Sequence, residues 1–124
     1  MSGASPSTLL GVLHLGALPS ARGHVSMGDV VDRAVADAEA YAQADFDGLV
    51  VENFGDAPFR RGTADDPVTP DLVAAIAVVA DRVQREAGLP VGVNCLRNDG
   101  YAALGAAAAV GARWVRVNVL TGAY

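Results

Sequence analysis

Four apolar runs of strand length alternate along the chain with three stretches of helical periodicity. The runs are Leu9 to Leu15, Gly48 to Phe54, Val91 to Leu96 and Trp114 to Leu120. Ser26 precedes the first helical stretch as an N-cap with Asp29 in its first turn, and the helix runs to about Ala44 with Val31, Ala34, Val35, Ala38 and Tyr41 on its inner face. Thr69 caps the second helix and Pro70 takes its first position, where a missing N–H costs nothing. Val73, Ile76, Ala77, Ala80 and Val83 form its inner stripe, Asp81 and Arg85 an outer i,i+4 pair, and Gly88 its stop. Asn98 or Asp99 caps a short Ala-rich helix from Tyr101 to Val110, ended by Gly111. This βαβαβαβ order predicts a parallel sheet with right-handed crossovers, in a single α/β domain over residues 1–124.

Two architectures share that order, an open doubly wound sheet and a barrel. Residue alternation within the runs separates them. Gly48 and Glu52, Gly92 and Asn94, and Arg116 and Asn118 share one parity, and His14 matches them. Leu49, Val51, Val91, Val93, Cys95, Val115, Val117 and Val119 hold the other. A sheet with helices on both faces would be apolar on both. One apolar face and one face that turns polar toward the strand ends is the signature of a barrel wall, with helices outside and a lumen inside. The expectation is therefore a (β/α)8 barrel of which the first four strands and three helices are present, a half barrel.

Composition narrows the function classes. The net charge is −5 and every basic residue is Arg, with no basic stripe of the kind nucleic acid requires. No apolar run approaches the roughly 20 residues that span a bilayer. The opening residues show neither a basic n-region nor an h-region, so no signal peptide is expected. The single Cys95 has no internal disulfide partner, which fits a reducing cytoplasm; its parity makes it a small buried hydrophobe. No G-x-G-x-x-G follows the first strand, and there is no Walker loop, C-x-x-C or H-E-x-x-H, so no cofactor can be named and no metal site is expected.

The candidate chemistry sits at the C-terminal ends of the strands, where barrel enzymes keep their active sites. His14 and Glu52 are the catalytic candidates: a general base with its orienting carboxylate, or two metal ligands. Asn94 and Asn118 could hold a sugar hydroxyl or a carbonyl. The competing reading of all four is a hydrogen-bonded polar layer that only sets register. Asn53 and Asp56 open a long loop, Gly55 to Val68, of lid or binding-loop length. In that loop Arg60 and Arg61 could grip a phosphate, or be balanced by Asp65 and Asp66. Arg97, just past the third strand, is expected to contact a ligand, and Asp99 beside it is expected to cap the next helix. Arg116 faces the lumen, as an ion-pair partner of Glu52 or as a catalytic group. Trp114 is expected to cover the barrel bottom and His24 to lie exposed in its loop.

Four blocks, in order and covering nearly the whole chain, resemble the BtpA family: GVLHLGALP (11–19), DGLVVENFGDAPF (47–59), PVGVNCLRND (90–99) and WVRVNVLTGAY (114–124). The resemblance implies a barrel of the ribulose-phosphate-binding class. In cyanobacteria it implies a role in photosystem I biogenesis at the thylakoid surface; in other bacteria and archaea the role is unassigned. By analogy it also allows an enzyme acting on a phosphosugar or nucleoside, of phosphoribosyl-anthranilate isomerase or nucleosidase type. Family members are about twice as long, with four more strands. The chain is thus expected to be truncated, to lack the phosphate site built after strands seven and eight, and to be inactive alone or in need of a second half. The partners expected are a second copy or the missing half barrel, and a small phosphorylated ligand. Leu10, Val12, Val50 and Leu96, on the lumen face, are expected to meet water.

Overall fold

A computed structural model of the chain describes residues 8–19, 21–53, 69–94 and 100–116. Four parallel strands, β1 (Leu10–His14), β2 (Gly48–Glu52), β3 (Val91–Asn94) and β4 (Trp114–Val115), form one sheet in the order β1-β2-β3-β4. Helices α1 (Met27–Gln43), α2 (Pro70–Ala87) and α3 (Gly100–Val110) connect them. The doubly wound alternative fails on two counts. Its strand order is not sequential, and its helices lie on both faces. Here the apolar parity of the sheet, Leu13, Leu49, Val51, Val91 and Val93, packs in one buried cluster with residues of all three helices.

Each helix end is closed by local chemistry. The Ser26 hydroxyl accepts the Asp29 N–H at 3.0 Å, the N-cap bond its position requires. Ser26→Ala should lower stability by about 1 kcal/mol, read from the urea midpoint at unchanged slope; a midpoint that does not move would mean that the cap is idle. Thr69 stands at the N-cap of α2, but its side chain makes no capping bond; its carbonyl takes the Leu72 and Val73 N–H groups at 3.1 and 3.4 Å. Pro70 supplies the fixed φ that starts this helix without the hydroxyl. Gly88 and Gly111 stop α2 and α3 at φ 70° and 69°. In α1 the same left-handed position is filled by Asp45, φ 63°. The Asp45 N–H donates to the Ala42 carbonyl and the Phe46 N–H to that of Tyr41, both at 3.1 Å, which is a Schellman end built without glycine. Its apolar contact is the edge-on pair Tyr41–Phe46, with ring centroids 4.7 Å apart.

The buried stripe of α2 is wider than the periodicity implies. Ala75 and Val79 are buried along with Ile76, Ala80 and Val83, while Val73 and Ala77 are half-buried. The cause is position: α2 packs against α1 on one side and α3 on the other, besides the sheet beneath. The expected pair Asp81–Arg85 forms on its outer surface. His24 departs from expectation. It is half-buried, with Nδ1 2.8 Å from the Ala17 carbonyl, because a ring nitrogen is needed to satisfy that carbonyl in the β1–α1 loop. No helix among the described residues is long and apolar enough to cross a membrane.

The second face of the sheet is layered by register. Val12, Val50, Gly92 and Trp114 are successive Cα partners across the strands. Trp114 lies over this layer: a Cβ added at Gly92 would collide with its pyrrole edge, and one at Gly48 would sit 2.8 Å from the far corner of its indole. The two glycines are the trough in which the ring lies. Of the residues expected to meet water, Leu10 is exposed and Val12 half-buried, but Val50 is buried. Val50 is in the inner strand pair, whereas Leu10 and Val12 are on the edge strand. Leu96 lies outside the described residues.

Candidate functional site

One layer further along, at the C-terminal ends of the strands, the polar parity brings a row together. His14 pairs in register with Glu52, and Glu52 with Asn94. Arg116 follows β4 on the same level, its N–H donating to the Val93 carbonyl at 2.9 Å. Strand alternation does the positioning: with Leu13, Val51 and Val93 committed to the helix layer, the next residue on each strand must face the other way.

Glu52 is the centre of the row, with a side chain only 8 % exposed. Its Oε2 accepts the Asn94 Nδ2 amide at 2.6 Å and lies 3.8 Å from Arg116 Nη1. Its Oε1 lies 3.5 Å from His14 Nε2. Asn94 is fully buried, while the His14 and Arg116 side chains are 55 % and 50 % exposed. The row therefore has a buried half that fixes geometry and an open half that solvent or a ligand can reach. Asn94 has a clear function in this order. A carboxylate taken out of water needs donors, and a buried amide supplies one without adding charge.

Such a row can do two things chemically. The imidazole beside a fixed carboxylate can take up or deliver a proton, its ring oriented by Glu52. The half-open guanidinium can receive an anionic group by paired N–H bonds. Among the described residues, no three His, Cys, Asp or Glu side chains come together as metal ligands.

The structure thus joins His14, Glu52 and Asn94 as the alternation implied, and gives Arg116 the ion-pair role beside Glu52. Asn53 follows at the end of β2 and is buried. Asp56, Arg97 and Asn118, with Arg60, Arg61, Cys95, Asn98 and Asp99, lie outside the described residues. Sequence reasoning missed a groove beside His14, lined also by Val12, Arg33, Asp37, Ala40 and Ala44. Its sequence signal was the spacing of positions 33, 37, 40 and 44, which share a face of α1 away from the core stripe.

A family model described as the BtpA family matches residues 5–124. The chain is 46% identical over 115 residues to the photosystem I biogenesis protein BtpA of Synechocystis, covering 92% of this chain and 39% of the relative. It is 44% identical over 115 residues to an uncharacterized protein of Pyrococcus horikoshii, covering 92% of this chain and 42% of that protein. An uncharacterized mitochondrial protein of Caenorhabditis elegans shares 26% over 119 residues, or 91% of this chain and 42% of its own length. The chain therefore spans about two fifths of the length of the curated relatives it matches. No solved structure matches.

Proposed function

The chain belongs to the BtpA family, and from that premise we propose that it forms half of a (β/α)8 barrel whose strand ends bind a small phosphorylated sugar or nucleoside. The observation that carries this reading is the convergence of His14, Glu52, Asn94 and Arg116, from successive strands, on one carboxylate. A layer needed only for register could be made of amides and hydroxyls. This one places a proton-transfer group and a cation at its open side. His14 serves as acid or base with Glu52 as its orienting partner, Arg116 meets the anionic group, and Asn94 holds Glu52 in place. Asn53, Asp56, Arg97 and Asn118 belong to the same binding surface in this reading. The site of action is the cytoplasm, at the thylakoid surface where the host is a cyanobacterium.

Titration calorimetry of the chain with pentose phosphates and nucleosides tests the reading. We expect saturable binding that falls at least tenfold, about 1.4 kcal/mol, in both His14→Ala and Glu52→Gln. The melting temperature of His14→Ala should stay within about 3 °C of the parent, since its side chain is half in water. Binding that survives both substitutions, or no binding by any member of the panel, overturns it.

A second reading is favoured by the Synechocystis relative. Its name assigns it to photosystem I biogenesis, and the match covers almost all of this chain. On that reading the chain acts through partner contacts in assembly, and its polar row is structural. Restoration of photosystem I in a Synechocystis strain lacking its own protein, by this chain carrying both substitutions, would select this reading over the first.

A further inference from the structure

The loop between β1 and α1 carries a histidine that the polar row does not use. The loop leaves the sheet at its C-terminal end, directly after His14, and its first residue is pinned to the strand of Glu52: the Leu15 N–H donates to the Glu52 carbonyl at 2.9 Å. Leu18, 1 % exposed, anchors the next turn in the core. The chain then folds back, with the Ala21 N–H on the Leu18 carbonyl at 2.9 Å and the His24 N–H on that of Ala21 at 3.3 Å. Gly23 sits at φ 85°, the left-handed region that favours glycine. The imidazole of His24 comes to rest with Nδ1 2.8 Å from the Ala17 carbonyl. Ala17 is three residues past His14, so its Cα lies within roughly 11 Å of that of His14.

A carbonyl oxygen can only accept, so this contact fixes the proton of the neutral ring on Nδ1 and leaves Nε2 as a bare acceptor. Nε2 makes no hydrogen bond among the described residues, yet it is not buried, and Arg22, Gly23 and Val25 beside it in the chain are exposed. The Ala17 carbonyl needs only a donor, which an amide or a hydroxyl could supply. An imidazole supplies the donor and also holds a second nitrogen, oriented, at the end of the sheet where β–α loops build binding sites. We propose that His24 is a specificity residue of the site at the strand ends, its Nε2 accepting the hydrogen of a sugar hydroxyl on the phosphorylated ligand. This rests on the ligand-binding reading above and narrows the ligand to one with a free sugar hydroxyl, held by Arg116 at its phosphate and by His24 at its carbinol. Discrimination follows from the same chemistry: an analogue without the hydroxyl leaves the acceptor unpaired, and the site rejects it.

Long-range proton–nitrogen NMR spectra of the imidazole rings, recorded under mildly alkaline conditions that keep imidazole neutral, test the inference on the intact chain. The chain has two histidines, so one substitution assigns the signals. We expect His24 to carry its proton on Nδ1, and its Nε2 signal to move saturably as ribose 5-phosphate is added. Sulfate, an anion with no hydroxyl to donate, should leave that signal in place. His24→Asn puts an amide N–H where Nδ1 was and keeps the bond to Ala17. It should melt within about 3 °C of the parent and bind ribose 5-phosphate at least tenfold more weakly, with its affinity for sulfate unchanged. A proton on Nε2, an Nε2 signal that ribose 5-phosphate does not move, or equal binding by His24→Asn and the parent overturns the inference. So does an equal loss for sulfate and sugar phosphate, which would make His24 a support of the loop and nothing more. The two readings fail separately. Binding that is lost in His14→Ala and Glu52→Gln while His24 stays silent removes only the role of His24. Binding that needs His24 and survives both of those substitutions removes only the role of the polar row.

Discussion

Gly92→Ala should cost about 3 kcal/mol, the upper end of what overpacking does to a core. The added Cβ would collide with both Cδ1 and Nε1 of Trp114. These are atoms of a rigid ring, not the end of a flexible chain. The ring cannot slide away along the sheet, because its far corner already rests on Gly48. It must rotate out of the trough and give up its contact with two strands. The chain has one tryptophan, so its fluorescence reports this movement directly, and a red shift should accompany the fall in the urea midpoint. The cost is a clash between two residues and should therefore be non-additive. In a Trp114→Ala background the same glycine substitution should cost less than about 1 kcal/mol, giving a coupling near 2 kcal/mol by circular dichroism. A single Gly92→Ala variant within about 0.5 kcal/mol of the parent would show that the indole does not lie in the trough.

Leu49→Ala should lose roughly 3–4 kcal/mol, while Leu10→Ala should lose less than about 1. Both are leucines on paired strands, near the same end of the sheet. Leu49 is fully buried beneath the helix layer, where truncation leaves a cavity that the surrounding side chains fill only in part. Leu10 is 38 % exposed on the opposite face, so its truncation forfeits less buried surface than truncation at Leu49 and leaves a gap that water can enter. The contrast measures the one-sided packing of the sheet. Equal losses at the two positions would mean that both faces are covered, and would remove the main support for the barrel reading. The experiment is chemical denaturation of both variants and the parent in matched buffer.

The strands, the helix starts and the two faces were legible because each depends on neighbours close in sequence. Ser26, Pro70, Gly88 and Gly111 act within one turn of themselves, and the alternation of Val91, Gly92, Val93 and Asn94 states which side each faces. The row at Glu52 was legible for the same reason, once four strands were laid side by side in order. What escaped depends on packing between elements. Val79 and Ala75 are buried because α2 lies between two helices, which a single-helix stripe does not encode. Tyr41 reads as one more core residue of α1; its hydroxyl bond to Val12 exists only because β1 is an edge. Trp114 was expected to cover the bottom of a barrel; it starts β4 one layer below the polar row, in register with Gly92, Val50 and Val12. The trough made by Gly48 and Gly92 followed from no local rule. Asp45 in the left-handed position escaped because the sequence offered no glycine there to mark the stop.

The sequential strand order also shapes how this molecule comes apart and reforms. Among the described residues each strand hydrogen-bonds only to the strands before and after it in sequence, and α1, α2 and α3 touch in the same succession. The chain is in effect a short linear array, in which stability is a sum over units and over the joints between neighbours, as in a stacked repeat. Such an array closes only short loops and should nucleate at whichever joint is strongest, then grow outward in both directions. The joint most shielded from solvent is the middle one, where β2 and β3 are buried along their whole length. Amide exchange should therefore be slowest in Val51 and Gly92, whose N–H groups lie between β2 and β3, and quicken toward β1 and β4 as graded fraying, a profile unlike the all-or-none opening of a closed barrel.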